Sequence, residues 1–318
     1  MIHYLSDRLA YAAILVAVKA GCFAVRIIPR RSLLYFSDIL ASFGFYLFRG
    51  FRTRSIRNVT VALGENLGPG QVEETVRKSL RNFFRACVEI AVALEASSEE
   101  HRTSIPIHGR EHLDAALAKG HGVIALSAHL GNFFLVGNRL AAEGYPVHVL
   151  VNQPKYGRFA ELMDHYRLRV GQKTIHARPR REAWRELLGV LRRNEVAVII
   201  ADEYRKGNGI RVPLFGRTVV ARRGPATLAL RTGAPVVPVC LTRNPNNGLK
   251  LVIEPELKLL RSNRSKADIR ENTLRMTQWL ERTIQTYPDQ WNWMNIRWQA
   301  HADTPLLRKE QRFEELSH

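Results

Sequence analysis

The sequence is short of cysteine, of acid and of repetition. Only Cys22, Cys87 and Cys240 occur in 318 residues, far apart and in apolar surroundings. That spacing excludes a disulfide framework and a thiolate zinc centre, and buried thiols in a reducing compartment are expected instead. Of 11 histidines, only His108 and His112 have a spacing that suits one helix face, and no further ligand stands near them, so no metal centre is expected. Internal repeats and low-complexity tracts are lacking, and a chain with 46% apolar residues can bury a sizeable core as one elaborated domain. The strongly apolar stretch from Leu9 to Ile28 has no small-residue cleavage site and carries Lys19 and Arg26, so it does not read as a removable secretion signal.

Acid is the scarcest commodity. Asp and Glu total 29 against 48 Lys and Arg, a formal net charge of +19, which implies a negatively charged partner: nucleic acid, an anionic membrane or a phosphorylated substrate. No aromatic-interleaved basic sheet motif and no recognition-helix pattern appears, so nucleic acid is not expected. An anionic membrane surface fits the N-terminus better. There, Leu9 to Ile28 and Leu33 to Phe48 are apolar segments flanked by Pro29-Arg30-Arg31 and by Arg49, Arg52, Arg54 and Arg57. They read either as an amphipathic anchor or short span, or as a helical hairpin packed on the body of the protein.

What the chain does have is alternation. Apolar runs at Val123 to Ser127, Val147 to Val151, Thr174 to His176, Val196 to Ala201, Val236 to Leu241 and Leu251 to Ile253 read as strands. Helical patterns fall between several of them, at Phe133 to Glu143, Phe159 to Val170, Arg181 to Arg193 and Pro225 to Arg231. The last has Pro225 in its first turn, Gly233 as a stop and Pro235 beyond. Amphipathic helices are expected over 71–95 and from Ile269 to Ile284. The whole implies an α/β fold, a mostly parallel central sheet flanked by helices, behind an N-terminal apolar helical membrane-associating segment. The expected divisions are 1–60 for that segment, 61–305 for the α/β domain and 306–318 for a frayed tail.

The most informative stretch is Val123-Ile-Ala-Leu-Ser-Ala-His129-Leu-Gly-Asn132-Phe-Phe134, a buried strand that ends on a histidine and opens into a helix. The carboxyl end of a strand in an open α/β sheet is where ligands bind. A second strand, Val196 to Ala201, ends in Asp202-Glu203. If the two are parallel, imidazole and carboxylate meet on one sheet edge, where the imidazole can take a proton from a hydroxyl and the carboxylate fixes its tautomer. The alternatives are a histidine bonded to a loop carbonyl, and an aspartate that caps a helix or pairs with Arg205. Around this edge lies a basic set: Lys155, Arg158, Arg167, Arg169, Lys173, Arg178, Arg180 and Arg181. Arg222 and Arg223 stand ahead of the Pro225 helix, where arginines suit a phosphate or a carrier's phosphopantetheine.

Taken together, these motifs resemble the bacterial lipid A biosynthesis lauroyl/myristoyl acyltransferases and relatives that acylate other membrane glycolipids. The resemblance runs through Arg57-Asn58, Gly109-Arg-Glu-His-Leu-Asp114, Gly122 to Gly131, Tyr166-Arg-Leu-Arg169 and Ala201-Asp-Glu203. It continues through Val212-Pro-Leu-Phe-Gly216, Gly224-Pro-Ala226, Thr232-Gly-Ala-Pro-Val-Val-Pro238 and the tail from Trp291 to Trp298. It implies an enzyme at the cytoplasmic face of the bacterial inner membrane that moves a fatty acyl chain from acyl carrier protein or acyl-CoA to a hydroxyl of a glycolipid, without metal or cofactor. One departure stands out. The family's histidine begins His-x-x-x-x-acid, whereas Phe134 fills the acid's place here, and no acid occurs between Asp114 and Glu143. Either Asp202 or Glu203 orients the imidazole instead, or the site is impaired and the protein binds lipid or carrier without turnover. The active version assigns His129 as general base, with Asp202 behind it and Arg169 holding a phosphate or the developing charge. Amides near Gly131 and Asn132, or the Asn132 side chain, then receive the oxyanion, and Glu203, Arg222 and Arg223 face the substrate.

Overall fold

The computed structural model describes residues 15–16, 18–152, 158–204, 209–262, 264–294, 296 and 298. Four helices come first: α1 (residues 18–27), α2 (Arg30–Leu47), α3 (Arg49–Leu63) and α4 (Pro69–Glu95). After α5 (Ser98–Ser104), β1 (Ile107–His108) and α6 (Arg110–Leu117), the alternating part begins with β2 (Val123–Ser127), α7 (Val136–Ala142) and β3 (Val147–Val151). It continues with α8 (Arg158–Arg169), β4 (Gln172–His176), α9 (Arg180–Arg192) and β5 (Val196–Ile200). A pair of strands, β6 (Ile210–Leu214) and β7 (Arg217–Ala221), precedes α10 (Gly224–Thr232), β8 (Val236–Arg243), β9 (Leu249–Ile253) and α11 (Ser265–Thr286).

The seven-stranded sheet has the order β1-β9-β8-β2-β5-β3-β4. β8, β2, β5, β3 and β4 are mutually parallel, while β9 runs antiparallel to β8 and carries β1 alongside it. The sheet is therefore mostly parallel, as the alternation implies, with two reversed strands at one edge. Both faces are covered, which is why β2 and β5 are continuous apolar runs rather than alternating ones. Ile124, Leu126, Ala197 and Ile199 face one core with Leu187, Leu228, Trp279 and Leu280, whereas Val123, Ala125, Val196 and Val198 face a second with Leu113, Val136 and Leu140.

Three features depart from the expectations. The helix expected over Phe133 to Glu143 is broken: Phe133–Leu135 is a single 3₁₀ turn, closed by Leu135 N–H to the Asn132 carbonyl at 3.0 Å, and only then does α7 begin. β6 and β7 form an antiparallel hairpin that is not among the strands the apolar runs indicate. Its turn is Phe215-Gly216, with both residues at positive φ (49° and 67°), as a two-residue hairpin requires, but without the Asn-Gly or Asp-Gly signature, and Pro213 interrupts the strand pattern. His108 and His112 fall on β1 and α6, separated by Gly109, and so do not share a helix.

Lys155, Arg205 and Lys206 lie outside the described residues, as do the whole tail 306–318 and the start of the Leu9 to Ile28 stretch. No described helix is long and apolar enough to cross a membrane.

α4 ties the N-terminal helices to the sheet. Its apolar stripe (Val72, Val76, Leu80, Ala86, Ala93) is buried, and α2 and α3 pack along it. Arg85 on α4 bonds Asp38 on α2 at 2.7 and 2.5 Å, and the Arg77 guanidinium lies 4.5 Å from the Phe45 ring. The outward side of α1 and α2 is aromatic and aliphatic: Phe23, Ile27, Tyr35, Phe36, Ile39, Leu40, Phe43, Tyr46 and Leu47 are all exposed, Phe43 by 68%.

Candidate active site

His129 lies two residues past the end of β2, and Asp202 two past the end of β5. The two strands are hydrogen-bonded neighbours in register, with Ser127 opposite Ile200, and Ala201 N–H donates to the Ser127 carbonyl at 2.9 Å. Parallel pairing therefore delivers both side chains to the same place on the carboxyl edge of the sheet. His129 Nδ1 meets Asp202 Oδ1 at 2.7 Å, and His129 N–H donates to Asp202 Oδ2 at 2.8 Å. A third donor comes from 89 residues away: the Trp291 indole Nε1–H reaches Asp202 Oδ2 at 2.7 Å. Asp202 is 1% exposed. Burial alone pushes its carboxyl upward, but the facing imidazole, the two His129 donors and the indole outweigh it and hold the carboxyl below the usual carboxylate range. A carboxylate on Nδ1 keeps the neutral ring's proton there and leaves the lone pair on Nε2. The imidazole is partly exposed, at 20% of its side chain.

The place of the motif acid is taken by a ring that points elsewhere. Phe134 is 44% exposed and stacks on Phe133 with centroids 4.1 Å apart, and Phe133 meets the His129 ring edge-on at 4.7 Å. Of the two acids on the neighbouring strand end, Asp202 is the one against the imidazole. Glu203 is 3.7 Å from Arg222, which brings that arginine to the same edge. Arg223 is exposed at the cap of α10, its carbonyl accepting from Thr227 N–H at 2.9 Å.

The other expected participants are placed differently. Gly131 N–H donates to the Gln290 carbonyl at 2.8 Å, Asn132 N–H to the Leu241 carbonyl at 3.0 Å, and Asn132 Nδ2 to Glu89 Oε2 at 3.0 Å. Asn132 is 1% exposed. These donors are committed because the loop folds back on β8, on the Pro288–Gln290 turn and on α4. Gly131 is required there: φ is +60°, and a Cβ would sit 2.1 Å from the Leu241 carbonyl oxygen.

Arg169 is exposed at the end of α8 and makes no contact with His129 or Asp202. Its charge acts on Glu95, whose carboxyl is lowered first by the Arg26 hydrogen bonds at 2.8 and 2.5 Å. Arg167 is paired with Asp164 at 2.9 Å, while Lys173, Arg178, Arg180 and Arg181 are solvent-exposed. No group of three or more His, Cys, Asp or Glu among the described residues can hold a metal ion.

The contact of Trp291 with Asp202 is not read from the sequence, nor are those of Glu89, Arg243 and Gln290 around the loop. The tail's aromatic run was a signal that something packs there, but no local spacing connects Trp291 with Asp202.

A paired histidine and aspartate at adjoining parallel strand ends has the chemistry to accept and return a proton, and the comparisons with known proteins point to a family of acyltransferases. A model of the family described as bacterial lipid A biosynthesis acyltransferase matches residues 4–300. Among curated proteins, the chain is 28% identical over 253 residues to a phosphatidylinositol mannoside acyltransferase of Mycolicibacterium smegmatis, covering 77% of this chain and 78% of that protein. It is 27% identical over 199 residues to the phosphatidylinositol mannoside acyltransferase of Mycobacterium tuberculosis, covering 61% of this chain and 60% of that protein. With the family's pattern running nearly end to end and its histidine set against a buried carboxylate, this chain belongs to the bacterial lipid A biosynthesis acyltransferase family.

Proposed function

We propose that this protein transfers a fatty acyl chain from a carrier thioester, on acyl carrier protein or coenzyme A, to a hydroxyl of a membrane glycolipid. His129 is the general base. Its Nε2 takes the proton of the acceptor hydroxyl as the oxygen attacks the thioester carbonyl, the tetrahedral intermediate collapses, and the carrier thiolate leaves with that proton. Asp202 stabilises the imidazolium formed meanwhile, and proton transfer of this kind is worth about 10²–10⁴ in rate. Arg222 and Arg223 meet the phosphate of the carrier or of the acceptor headgroup. The acceptor is a lipid A precursor or a glycolipid of the phosphatidylinositol mannoside type, the latter favoured by the names of the relatives.

One observation carries this reading: the 2.7 Å contact between His129 Nδ1 and Asp202 Oδ1. It also speaks against an impaired site, because the orienting carboxylate that Phe134 cannot supply comes from the neighbouring strand. The exposed apolar side of α1 and α2, bordered by Arg49, Arg52 and Arg54, supports residues 1–60 as the part that lies on the cytoplasmic face of a bacterial inner membrane, with 61–305 as the acyltransferase domain.

The test is incubation of the purified protein with palmitoyl-CoA or palmitoyl-acyl carrier protein and either phosphatidylinositol mannoside or a lipid A precursor, followed by free thiol and acylated lipid. Acceptor-dependent thiol release that disappears in His129→Ala supports the proposal. Full turnover in that variant refutes the base assignment, and release that ignores the acceptor refutes the transfer.

A further inference from the structure

The hydrogen bonds of Gly131 and Asn132 converge on a second buried ionic group. Glu89, in the middle of α4, and Arg243, the last residue of β8, are each less than one-tenth exposed and form a two-pronged pair, Nη1 to Oε1 at 2.7 Å and Nη2 to Oε2 at 3.0 Å. Glu89 Oε2 also accepts from Asn132 Nδ2 at 3.0 Å, and Arg30 stands 3.8 Å from Oε1. Arg243 Nε donates to Asn82 Oδ1 at 3.1 Å and Nη1 to the Asn247 carbonyl at 3.2 Å. The Arg243 main chain is clasped by Gln290, whose Oε1 accepts from its N–H and whose Nε2 donates to its carbonyl, both at 2.8 Å. Gln290's own carbonyl takes the Gly131 N–H, and the His129 carbonyl takes the Asn292 N–H at 3.1 Å.

Two branches of this network reach the four residues from His129 to Asn132, one through Asn132 Nδ2 on Glu89 and one through the Gln290 carbonyl on Gly131 N–H. A buried ion pair is a poor source of stability, since an apolar pair of the same volume often does as well. What it supplies is direction: a two-pronged guanidinium-carboxylate contact has one geometry, and a carboxylate that also accepts an amide fixes where that amide sits. Misplacement of a reacting group by about 1 Å is enough to cost on the order of 10²-fold in rate.

We propose that Glu89 and Arg243 are positioning residues for His129, a buried clamp between α4 and β8 that sets the loop carrying the imidazole through Asn132 and Gln290. Neither residue touches the reacting atoms. The clamp also puts the loop under the control of α4, the helix on which the apolar α2 is packed. The inference rests on His129 being the base, and the experiment separates the two.

The experiment compares wild type with Glu89→Gln/Arg243→Met, which removes both charges together and so leaves no uncompensated ion, and with Arg243→Lys, which keeps charge but not the two-pronged contact. Three quantities are read: melting temperature, steady-state kinetics with palmitoyl-CoA and phosphatidylinositol mannoside, and the ¹⁵N imidazole signals of His129, assigned by difference against His129→Gln. The expected result for the double variant is a melting temperature near wild type, kcat lower by about 10- to 100-fold with KM changed less than threefold, and a His129 signal that is broadened or split between tautomers. Arg243→Lys is expected to recover part of kcat. Unchanged kcat and an unchanged His129 signal in the folded double variant overturn the clamp, as does loss confined to melting temperature. Should wild type transfer no acyl chain to either acceptor, the proposed function fails, and the imidazole signals still decide the clamp.

Discussion

Two regions of this molecule break the usual partition of residues, in opposite directions. On α2, Tyr35, Phe36, Phe43 and Tyr46 lie in solvent, whereas at the carboxyl edge of the sheet the Asp202 carboxylate is buried. The buried charge is compensated from within: three N–H donors, all from this chain, surround its two oxygens. No such compensation exists for the aromatic face, because only another apolar medium can remove it from water. One region is therefore complete in the isolated protein, and the other is left in water by it. On the proposed function, the buried dyad serves the chemistry and the aromatic face serves contact with lipid.

The sharpest way to break this contrast is at Asp202. Asp202→Asn is expected to lower turnover by about 10²–10⁴-fold, as the imidazole loses its orienting anion. Asp202→Ala additionally strands the His129 and Trp291 donors and is expected to cost about 3–5 kcal/mol, read by denaturant unfolding. If Asp202→Asn turns over like wild type, the dyad is not the engine.

Next in size is the aromatic face. Phe36→Asp with Phe43→Asp is expected to reduce binding to anionic vesicles by at least about tenfold per residue, since each phenyl loses about 1.5–3 kcal/mol of burial in lipid. Thermal stability in solution should not fall, because neither ring is covered by protein. A loss of stability equal to the loss of vesicle binding would mean that the face packs on this chain.

A smaller effect is expected from Trp291→Phe, which removes one of the donors that hold Asp202 down. A carboxyl depressed in the folded state contributes stability at pH values above its unfolded value, about 3.9, and that stability is lost as pH falls through the folded value. With the indole donor gone, the folded value rises, so acid unfolding should begin at a higher pH, with about 1 kcal/mol less stability at neutrality. An acid transition at the wild-type pH would show that the indole contributes nothing to the carboxylate.

The smallest change is expected at Phe134. Because Asp202 already occupies the orienting role and Phe134 is half-exposed, Phe134→Glu should alter stability by no more than about 0.5 kcal/mol and leave kcat within a few-fold. A large rise in kcat would show that the missing acid, and not Asp202, limits the reaction.

Much of the scaffold was legible because local patterns and tertiary packing ask for the same thing. β2 and β3 fall where their apolar runs begin and end, α10 has its Pro225 start and Gly233 stop, and α4 shows its buried stripe. The meeting of His129 with Asp202 was legible too, once both were seen to end parallel strands. The hairpin β6–β7 was not, because Pro213 and the Phe215-Gly216 turn hide a short ladder whose strands are stabilised by pairing with each other and by packing on α11. The partners of the donors near His129 were not legible for a related reason. A backbone N–H at a strand end looks available in sequence, and whether it is depends on carbonyls such as Leu241 and Gln290, more than 100 residues away.

Local pattern was enough to specify the parallel sheet, the residues that crown its strand ends and the apolar, arginine-flanked N-terminus, because periodicity, caps and charge are local properties that burial on both faces enforces. Long-range packing alone fixed which acid faces the imidazole, that Trp291 shares it, and that Glu89 and Arg243 pair beside Asn132. Those contacts join segments separated by 73 to 154 positions, and no local preference encodes a distance that long chain closures alone create.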